Sequence, residues 1–192
     1  MNELKLKNAF DKYFDAPIEV WKTFADLCQQ VSFKKNEIIK PAGETEKYAY
    51  FILEGACGIF LWKASNYVCL DIVLEHNFFA DHMSLIKKEL SLLQTVALEN
   101  TTALRISQVN IDKLKKSSFG SLLFLIGAES SFVEKQQQQI DILTKTAEQR
   151  YNDLLTKNPS LIQRIAQKDL ASYLGITTQS LSRIRKNSSL LF

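Results

Sequence analysis

The chain of 192 residues has few of the residues that build disulfide frameworks and metal sites, with 3 cysteines and 2 histidines. Cys28, Cys57 and Cys69 are odd in number, widely spaced and set among apolar neighbours, and no C-x-x-C pair occurs. This pattern predicts buried, reduced thiols and argues against a disulfide framework or a zinc site.

Long apolar runs are also missing. No segment approaches the roughly 20 apolar residues that a membrane-spanning helix needs, and the opening MNELKLKNAFDKYF is too charged for a secretory signal peptide. Gly-rich phosphate loops, H-E-x-x-H and G-x-S-x-G motifs and a catalytic Cys–His pairing are absent as well. We therefore predict a cytoplasmic protein that has no membrane partner and is not an enzyme.

The net charge is only +3, but it is unevenly distributed. Residues 151–192 contain six Lys or Arg and two Asp, a net charge of +4, so the rest of the chain carries −1. This concentration favours a C-terminal segment that meets phosphates, although a solvated basic tail would have the same composition.

Hydrophobic periodicity divides the chain into three zones. Residues 3–30 have helical spacing with a break at Pro17, and residues 31–108 contain short β-branched and aromatic runs separated by turns. We predict six or more strands there, hence a sandwich or barrel, with a short helix at DHMSLIKKE. A second short helix, IDKLKK, follows at residues 111–116.

Residues 119–156 contain no proline and predict one long helix that ends near Asn158-Pro159. A narrow seam falls close to a seven-residue repeat and comprises Leu122, Ile126, Val133, Gln136, Ile140, Leu143 and Ala147. Such a seam is typical of a dimerising coiled-coil helix. The alternative is a helix packed on its own strands, but this helix would overrun so small a domain, so we favour a homodimer.

The segment from Gln167 to Lys186 predicts two short helices joined by a tight turn, a helix-turn-helix. Leu170, Ala171 and Leu174 give the first helix an apolar face, and Leu181 and Ile184 anchor the second. Gly175 permits a positive φ at the turn, and Thr177 is placed to cap the second helix. A generic helical hairpin with a basic face is the less favoured alternative.

The opposite face of the second helix carries side chains suited to DNA. Thr178, Gln179 and Arg183 are the candidates for base contacts, since Arg and Gln each form paired hydrogen bonds with base edges in the major groove. The candidates for phosphate contacts are Lys168, Thr177, Ser180, Ser182, Arg185 and Lys186.

Four segments resemble the CRP/FNR transcription regulators, the family of the catabolite activator protein and the fumarate-nitrate regulator. They are YAYFILEGACGIFL (48–61), FFADHMSL (78–85), IDKLKK (111–116) and the segment RYNDLL to RIRK (150–186), which is similar to a Bacteroidetes subgroup. The resemblance implies an α+β fold with an N-terminal β-roll of the cyclic-nucleotide-binding type, a long dimerisation helix and a winged helix-turn-helix. The expected domains are 1–117, 118–156 and 157–192.

The family's nucleotide-binding cassette has Gly-Glu for the ribose and an Arg-Ser or Arg-Thr pair for the cyclic phosphate. Here those positions are Ala80-Asp81 and Ser91-Leu92, so the phosphate would lack its cation. We therefore expect no cofactor and no cyclic AMP, and a different small effector or none. The candidate effector pocket comprises Ala80, Asp81, His82, Met83, Ser91 and Leu92.

Two further departures concern sensing and the wing. Cys28 stands alone where an iron–sulfur sensor needs a cysteine cluster, and neither His76 nor His82 is expected to bind haem or a metal. Six residues follow Lys186, so we expect the wing to be reduced or absent.

The predicted function is sequence-specific binding of a palindromic double-stranded operator by a homodimer, with RNA polymerase a candidate partner. The rival function is a ligand- or partner-binding β-roll with weak or vestigial DNA binding.

Overall fold

The computed structural model describes residues 2–11, 13, 15–63 and 66–188. In this part of the chain, eight strands form two antiparallel four-stranded sheets with the orders β1-β8-β3-β6 and β2-β7-β4-β5. The strands are β1 (Gln29–Phe33), β2 (Ile38–Lys40), β3 (Tyr48–Glu54), β4 (Ala56–Lys63), β5 (Asn66–Leu74), β6 (Phe78–Phe79), β7 (Leu93–Ala97) and β8 (Thr101–Ser107). The predicted α+β class and strand-rich centre are confirmed.

Two helices precede the strands along the chain, one lies between β6 and β7, and six follow the last strand in the described residues. The described helices are α1 (Asn2–Phe10), α2 (Ile18–Asp26), α3 (His82–Lys87), α4 (Gln108–Leu114), α5 (Ser118–Thr144), α6 (Ala147–Lys157), α7 (Pro159–Arg164), α8 (Gln167–Tyr173) and α9 (Thr178–Ser188). The short helices predicted at DHMSLIKKE and IDKLKK are present as α3 and α4. The first helical zone ends earlier than predicted, because Gln29 and Gln30 already pair with β8.

Each face of the sandwich is covered by a different set of helices. On the first sheet, Phe51 and Leu104 pack with Trp21 of α2 and Leu123 of α5. On the second sheet, residues of β4 and β5 join an apolar cluster with α6 to α9. Burial of these side chains supplies the main stabilisation of both layers, at roughly 25 cal/mol per Å² of apolar surface. The three cysteines are free thiols, and Cys57 and Cys69 are buried as predicted, whereas Cys28 is only half-buried.

The single helix predicted over residues 119–156 is wrong, because the chain forms two helices there. α5 ends at Thr144, Lys145 has extended backbone angles, and α6 begins at Ala147. The break has a local cause: the Thr146 hydroxyl accepts from the amide of Gln149, whose side chain accepts from the Thr146 amide. This reciprocal capping box starts a new helix. Ala147, predicted as the last seam residue, therefore lies on α6.

Two other expectations concern the ends of the fold. The predicted break at Asn158-Pro159 is present, since α6 ends at Lys157 and Pro159 opens α7. The final residues, 189–192, on which the expected reduction or absence of the wing depends, lie outside the described residues. Among the described helices, none has the length and apolar character needed to cross a membrane.

Candidate functional site

The α8–α9 pair has the local geometry that the sequence predicts. Gly175 adopts a φ of +69° in the turn, which favours glycine. The Ile176 amide donates to the Ala171 carbonyl at 3.0 Å and closes the turn. The Thr177 hydroxyl accepts from the Ser180 amide at 3.1 Å, so Thr177 caps α9 as expected.

Apolar side chains fix how α8 and α9 lie against the rest of the chain. Leu170, Ala171, Leu174 and Leu181 are fully or almost fully buried, with Leu181 at 0% exposure. They pack with Tyr151 of α6 and with apolar residues of α7, and Ile176 and Ile184 contact the same cluster. Because this face is anchored, the opposite face of α9 is held towards solvent.

The predicted DNA-contact residues divide into an outward group and an inward pair. The exposed members are Lys168, Thr177, Thr178, Gln179, Ser182, Arg183 and Lys186. Ser180 is half-buried and its hydroxyl lies 3.0 Å from that of Thr177. Arg185 is also half-buried and donates to the Ile162 carbonyl at 3.1 Å, so it ties α9 to α7. Seven of the nine residues are therefore exposed to solvent.

Gln167, which the sequence analysis did not single out, connects the two helices on this surface. Its side-chain amide donates to the Thr178 carbonyl at 3.1 Å and to the Ser182 hydroxyl at 2.9 Å. These bonds fix the start of α9 and the orientation of Ser182. A Gln at the first position of α8 and a Ser fifteen residues later gave no pattern that would have revealed the contact.

The candidate effector pocket is arranged differently from the expectation. Asp81 and Ser91 do meet, and Ser91 donates to Oδ2 of Asp81. The third member of this cluster is Lys40 of β2, whose Nζ atom donates to Oδ2 of Asp81 and to Oγ of Ser91 at 2.9 Å each. Lys40 also donates to the Leu93 carbonyl at 2.6 Å. A buried lysine from the chain itself thus occupies the polar centre of the cassette.

Burial and charge in this cluster act in opposite directions on Asp81. Burial alone would raise the pKa of the carboxyl, but hydrogen bonds from Ser91, Lys40 and the Ser84 amide outweigh it and hold the pKa below its ordinary value. Asp81 is therefore ionised, and its other oxygen caps α3 by accepting from the Ser84 amide at 3.2 Å. The ion pair consequently fixes α3 against β2.

The remaining members of the predicted pocket do not share one environment. Ala80 is buried beside the cluster, whereas His82, Met83 and Leu92 are exposed. The six residues therefore do not form one enclosed cavity. Within the described residues, no group of three or more His, Cys, Asp or Glu side chains is placed to hold a metal ion.

The seam on α5 is open to solvent in the single chain. Of the predicted members, Leu122, Val133, Gln136, Ile140 and Leu143 are exposed and Ile126 is half-buried. Leu125 and Phe132 extend the same strip, and Phe132 is 69% exposed. Leu125 lies three residues after Leu122 and Phe132 lies seven residues after Leu125, so both positions continue the helical spacing of the strip in the sequence. Several large apolar side chains on one helix mark an interaction surface.

Residues 30–118, which contain most of the sandwich, match the family model described as the cyclic nucleotide-binding domain. No curated protein matches the chain in sequence. The sandwich is therefore similar to cyclic nucleotide-binding domains.

Solved structures with the same fold cover almost the whole chain. The c-di-GMP responsive global regulator CLP of Xanthomonas campestris is 15% identical, covers 91% of this chain and 92% of its own, and has a TM-score of 0.69. FixK2 of Bradyrhizobium japonicum is 18% identical over 85% of both chains, with a TM-score of 0.70. The catabolite activator protein of Thermus thermophilus is 17% identical over 94% of this chain and 86% of its own, with a TM-score of 0.57. At these identities the likeness establishes the shared fold.

Proposed function

We propose that the chain is a cytoplasmic, homodimeric transcription regulator of the CRP/FNR type that reads DNA with α9. The observation that carries the proposal is the two-sided character of this helix. Leu181 anchors it with no exposed surface, while Gln179, Arg183 and Lys186 are exposed on the other side. The likeness to CLP, a regulator that its description links to virulence gene expression, supports the same class.

In the proposed complex, each α9 enters a major groove of a palindromic operator. Two such helices in a dimer engage half-sites about 34 Å apart. Thr178, Gln179 and Arg183 read base edges, and Lys168, Thr177, Ser182 and Lys186 contact phosphates. We assign Arg185 to positioning α9, because its guanidinium donates to the Ile162 carbonyl. Ser180 contributes mainly through the cap at Thr177.

The proposed dimer forms along α5. The strip of exposed apolar side chains runs for most of the helix, from Leu122 to Leu143. A second copy that packs its own strip on this one would remove both from water, and burial of each large apolar side chain stabilises the dimer by about 1.5–3 kcal/mol. The polar member Gln136 would then help to fix the register.

We further propose that the sensor domain does not bind cyclic AMP in the usual way. A phosphate needs an available cation, and Lys40 already satisfies Asp81, Ser91 and the Leu93 carbonyl. Ser91 and Leu92 provide no replacement positive charge. Titration calorimetry with cyclic AMP should therefore give no saturable heat. Saturable binding that raises the melting temperature would contradict this part of the proposal.

The function is tested by selecting bound sequences from a random duplex pool with purified protein and no added ligand. We expect enrichment of a two-fold symmetric site. An Arg183→Ala variant, run in parallel, should lose the preference at one position of each half-site. Failure of the wild type to enrich any site, with candidate effectors absent and then present, would overturn the proposal.

Salt dependence separates this function from a partner-binding module with vestigial DNA binding. If the surface around α9 neutralises phosphates, log affinity should fall steeply and linearly with log salt concentration. A shallow dependence would favour the rival function, in which the exposed strip on α5 and the sandwich bind other proteins.

A further inference from the structure

Arg164, the last residue of α7, joins the α7–α9 region to the sandwich through two carboxylates. Its Nη1 and Nη2 atoms donate to the two oxygens of Glu75 at 2.9 and 2.6 Å. The same guanidinium donates to Glu99, with Nη2–Oε2 at 2.5 Å and Nε–Oε1 at 3.2 Å. A planar fork that engages two carboxylates in this way is directional, unlike the point charge of a lysine.

The two carboxylates lie on turns that are themselves fixed. Glu75 is in the turn between β5 and β6, and Oε1 of Glu75 also accepts from the Gly55 amide at 2.8 Å. Gly55 has a φ of +97°, and a Cβ there would lie 2.5 Å from the Thr101 hydroxyl. The turn that precedes β4 therefore packs tightly on the turn that carries Glu99. Arg164 is thus held by one rigid end of the sandwich.

A second contact seats the α8–α9 pair on the side of the same domain. β5 is an edge strand, and α8 packs against it. The Cys69 amide, on the open edge, donates to the Ser172 hydroxyl of α8 at 2.9 Å. Apolar side chains of both parts complete the contact, among them Phe60 and Ile72 of the sandwich and Leu170 of α8. One contact can act as a pivot, but two separated contacts define an orientation.

Burial tends to raise the pKa of the Glu75 carboxyl, but the hydrogen bonds from Arg164 and from backbone amides hold it below its ordinary value. The pair is therefore charged at neutral pH. If Arg164 were removed, the two carboxylates would face each other without their shared cation. The α7 end of the contact would then open, and the apolar α8–β5 contact, left without this support, would open more often.

We propose that Arg164 is a positioning residue that sets the orientation of α9 relative to the sandwich, and thereby the half-site spacing that a dimer of this chain accepts. The inference rests on the proposed function. In a dimer held along α5, the distance between the two α9 helices depends on how each α8–α9 pair is seated. Base preference within a half-site depends on α9 itself and is independent of Arg164.

The test measures spacing and base preference separately. Operators found with the wild type are rebuilt with the half-site spacing changed by one or two base pairs in each direction, and affinities are measured for the wild type, Arg164→Ala and Arg164→Lys. A charge-matched control is Lys157→Ala, which removes an exposed cation of α6. We expect the wild type and the control to prefer one spacing by about tenfold or more, as coupled sites do. Both Arg164 variants should bind several spacings with similar affinity and keep the half-site sequence.

Amide hydrogen exchange in the DNA-free protein provides a readout that does not depend on DNA. The Cys69 amide should exchange faster in Arg164→Ala than in the wild type, because the α8–β5 contact opens more often. Melting curves establish that the variants are folded. If the wild type enriches no operator, the proposed function fails and this inference fails with it. If the wild type selects a site but Arg164→Ala retains the same spacing preference, or leaves Cys69 exchange unchanged, only the positioning role is overturned.

Discussion

The Nζ atom of Lys40 lies 2.9 Å from Oδ2 of Asp81, and the two side chains are only 4% and 0% exposed. The pair connects β2 to the first turn of α3, within the segment where the sequence predicted an effector pocket. Because Ser91 and the Leu93 carbonyl satisfy the remaining donors of Lys40, the charges are compensated internally. A polar centre of this kind has a structural role without any ligand.

Replacement of Lys40 by methionine should destabilise the protein strongly. The variant leaves Asp81 buried without its cation, which typically costs about 3–5 kcal/mol. Urea unfolding measures the loss. A Lys40→Met/Asp81→Asn double variant should regain most of it, and Lys34→Met, at an exposed position, should change stability by no more than about 0.5 kcal/mol. A Lys40→Met protein as stable as the wild type would mean that Asp81 is not held by this pair.

The Lys40–Asp81 pair should make the unfolding free energy depend on pH in the acid range. The folded pKa of Asp81 is lowered, so its contribution is fully present above the unfolded pKa of about 3.9 and is lost as pH falls through the lower folded pKa. The unfolding free energy of the wild type should therefore decrease below about pH 5 more steeply than that of the Lys40→Met/Asp81→Asn variant. If the stability-versus-pH profiles of the two proteins were parallel, the pKa of Asp81 would be the same in the folded and unfolded states. Glu75, whose pKa is also lowered, affects both proteins equally.

Local patterns predicted the parts of the fold whose causes are local. The β-rich runs, the Pro159 break, the Gly175 turn and the Thr177 cap each depend on residues within a few positions. The end of α5 was equally local, since Thr146 and Gln149 form a capping-box pair. It was missed because the apolar spacing continues through the break. The spacing of apolar residues indicates which face of a helix is buried, but it does not show where one helix ends and the next begins.

The long-range polar contacts had no such signal. Lys40 meets Asp81 across 41 positions, and Arg164 meets Glu75 across 89. In the sequence, a lysine between Ile39 and Pro41 has the appearance of a surface residue. Its burial depends on which strand faces the cassette. The departure of Ser91 from the usual arginine was visible, but the lysine that compensates for it was not.

Introduction of a charge into the strip on α5 should dissociate the proposed dimer. Phe132→Glu places one carboxylate from each copy in the interface that the proposed dimer buries. An uncompensated buried charge is strongly unfavourable. Sedimentation velocity should show a dimer for the wild type and a monomer for the variant. The matched control is Ser131→Glu, which adds the same charge on the opposite side of α5, where position 131 is exposed. Equal masses for Phe132→Glu and the wild type would exclude this strip as the interface.

Substitutions of Arg183 and Lys186 test the proposed division between base reading and phosphate binding on α9. Both side chains are exposed and, among the described residues, neither makes a hydrogen bond or ion pair, so their substitution should leave the fold intact. Arg183→Ala should lose about 1–3 kcal/mol on the selected operator and relax the preference at one base pair, because a guanidinium that contacts guanine discriminates between bases. Lys186→Ala should instead weaken binding to all sequences alike and reduce the salt slope by about one. Fluorescence anisotropy with the operator and with a scrambled duplex, at several salt concentrations, measures both effects. If Arg183→Ala lost the same affinity on both duplexes, Arg183 would be a phosphate contact, and base reading would rest on Thr178 and Gln179.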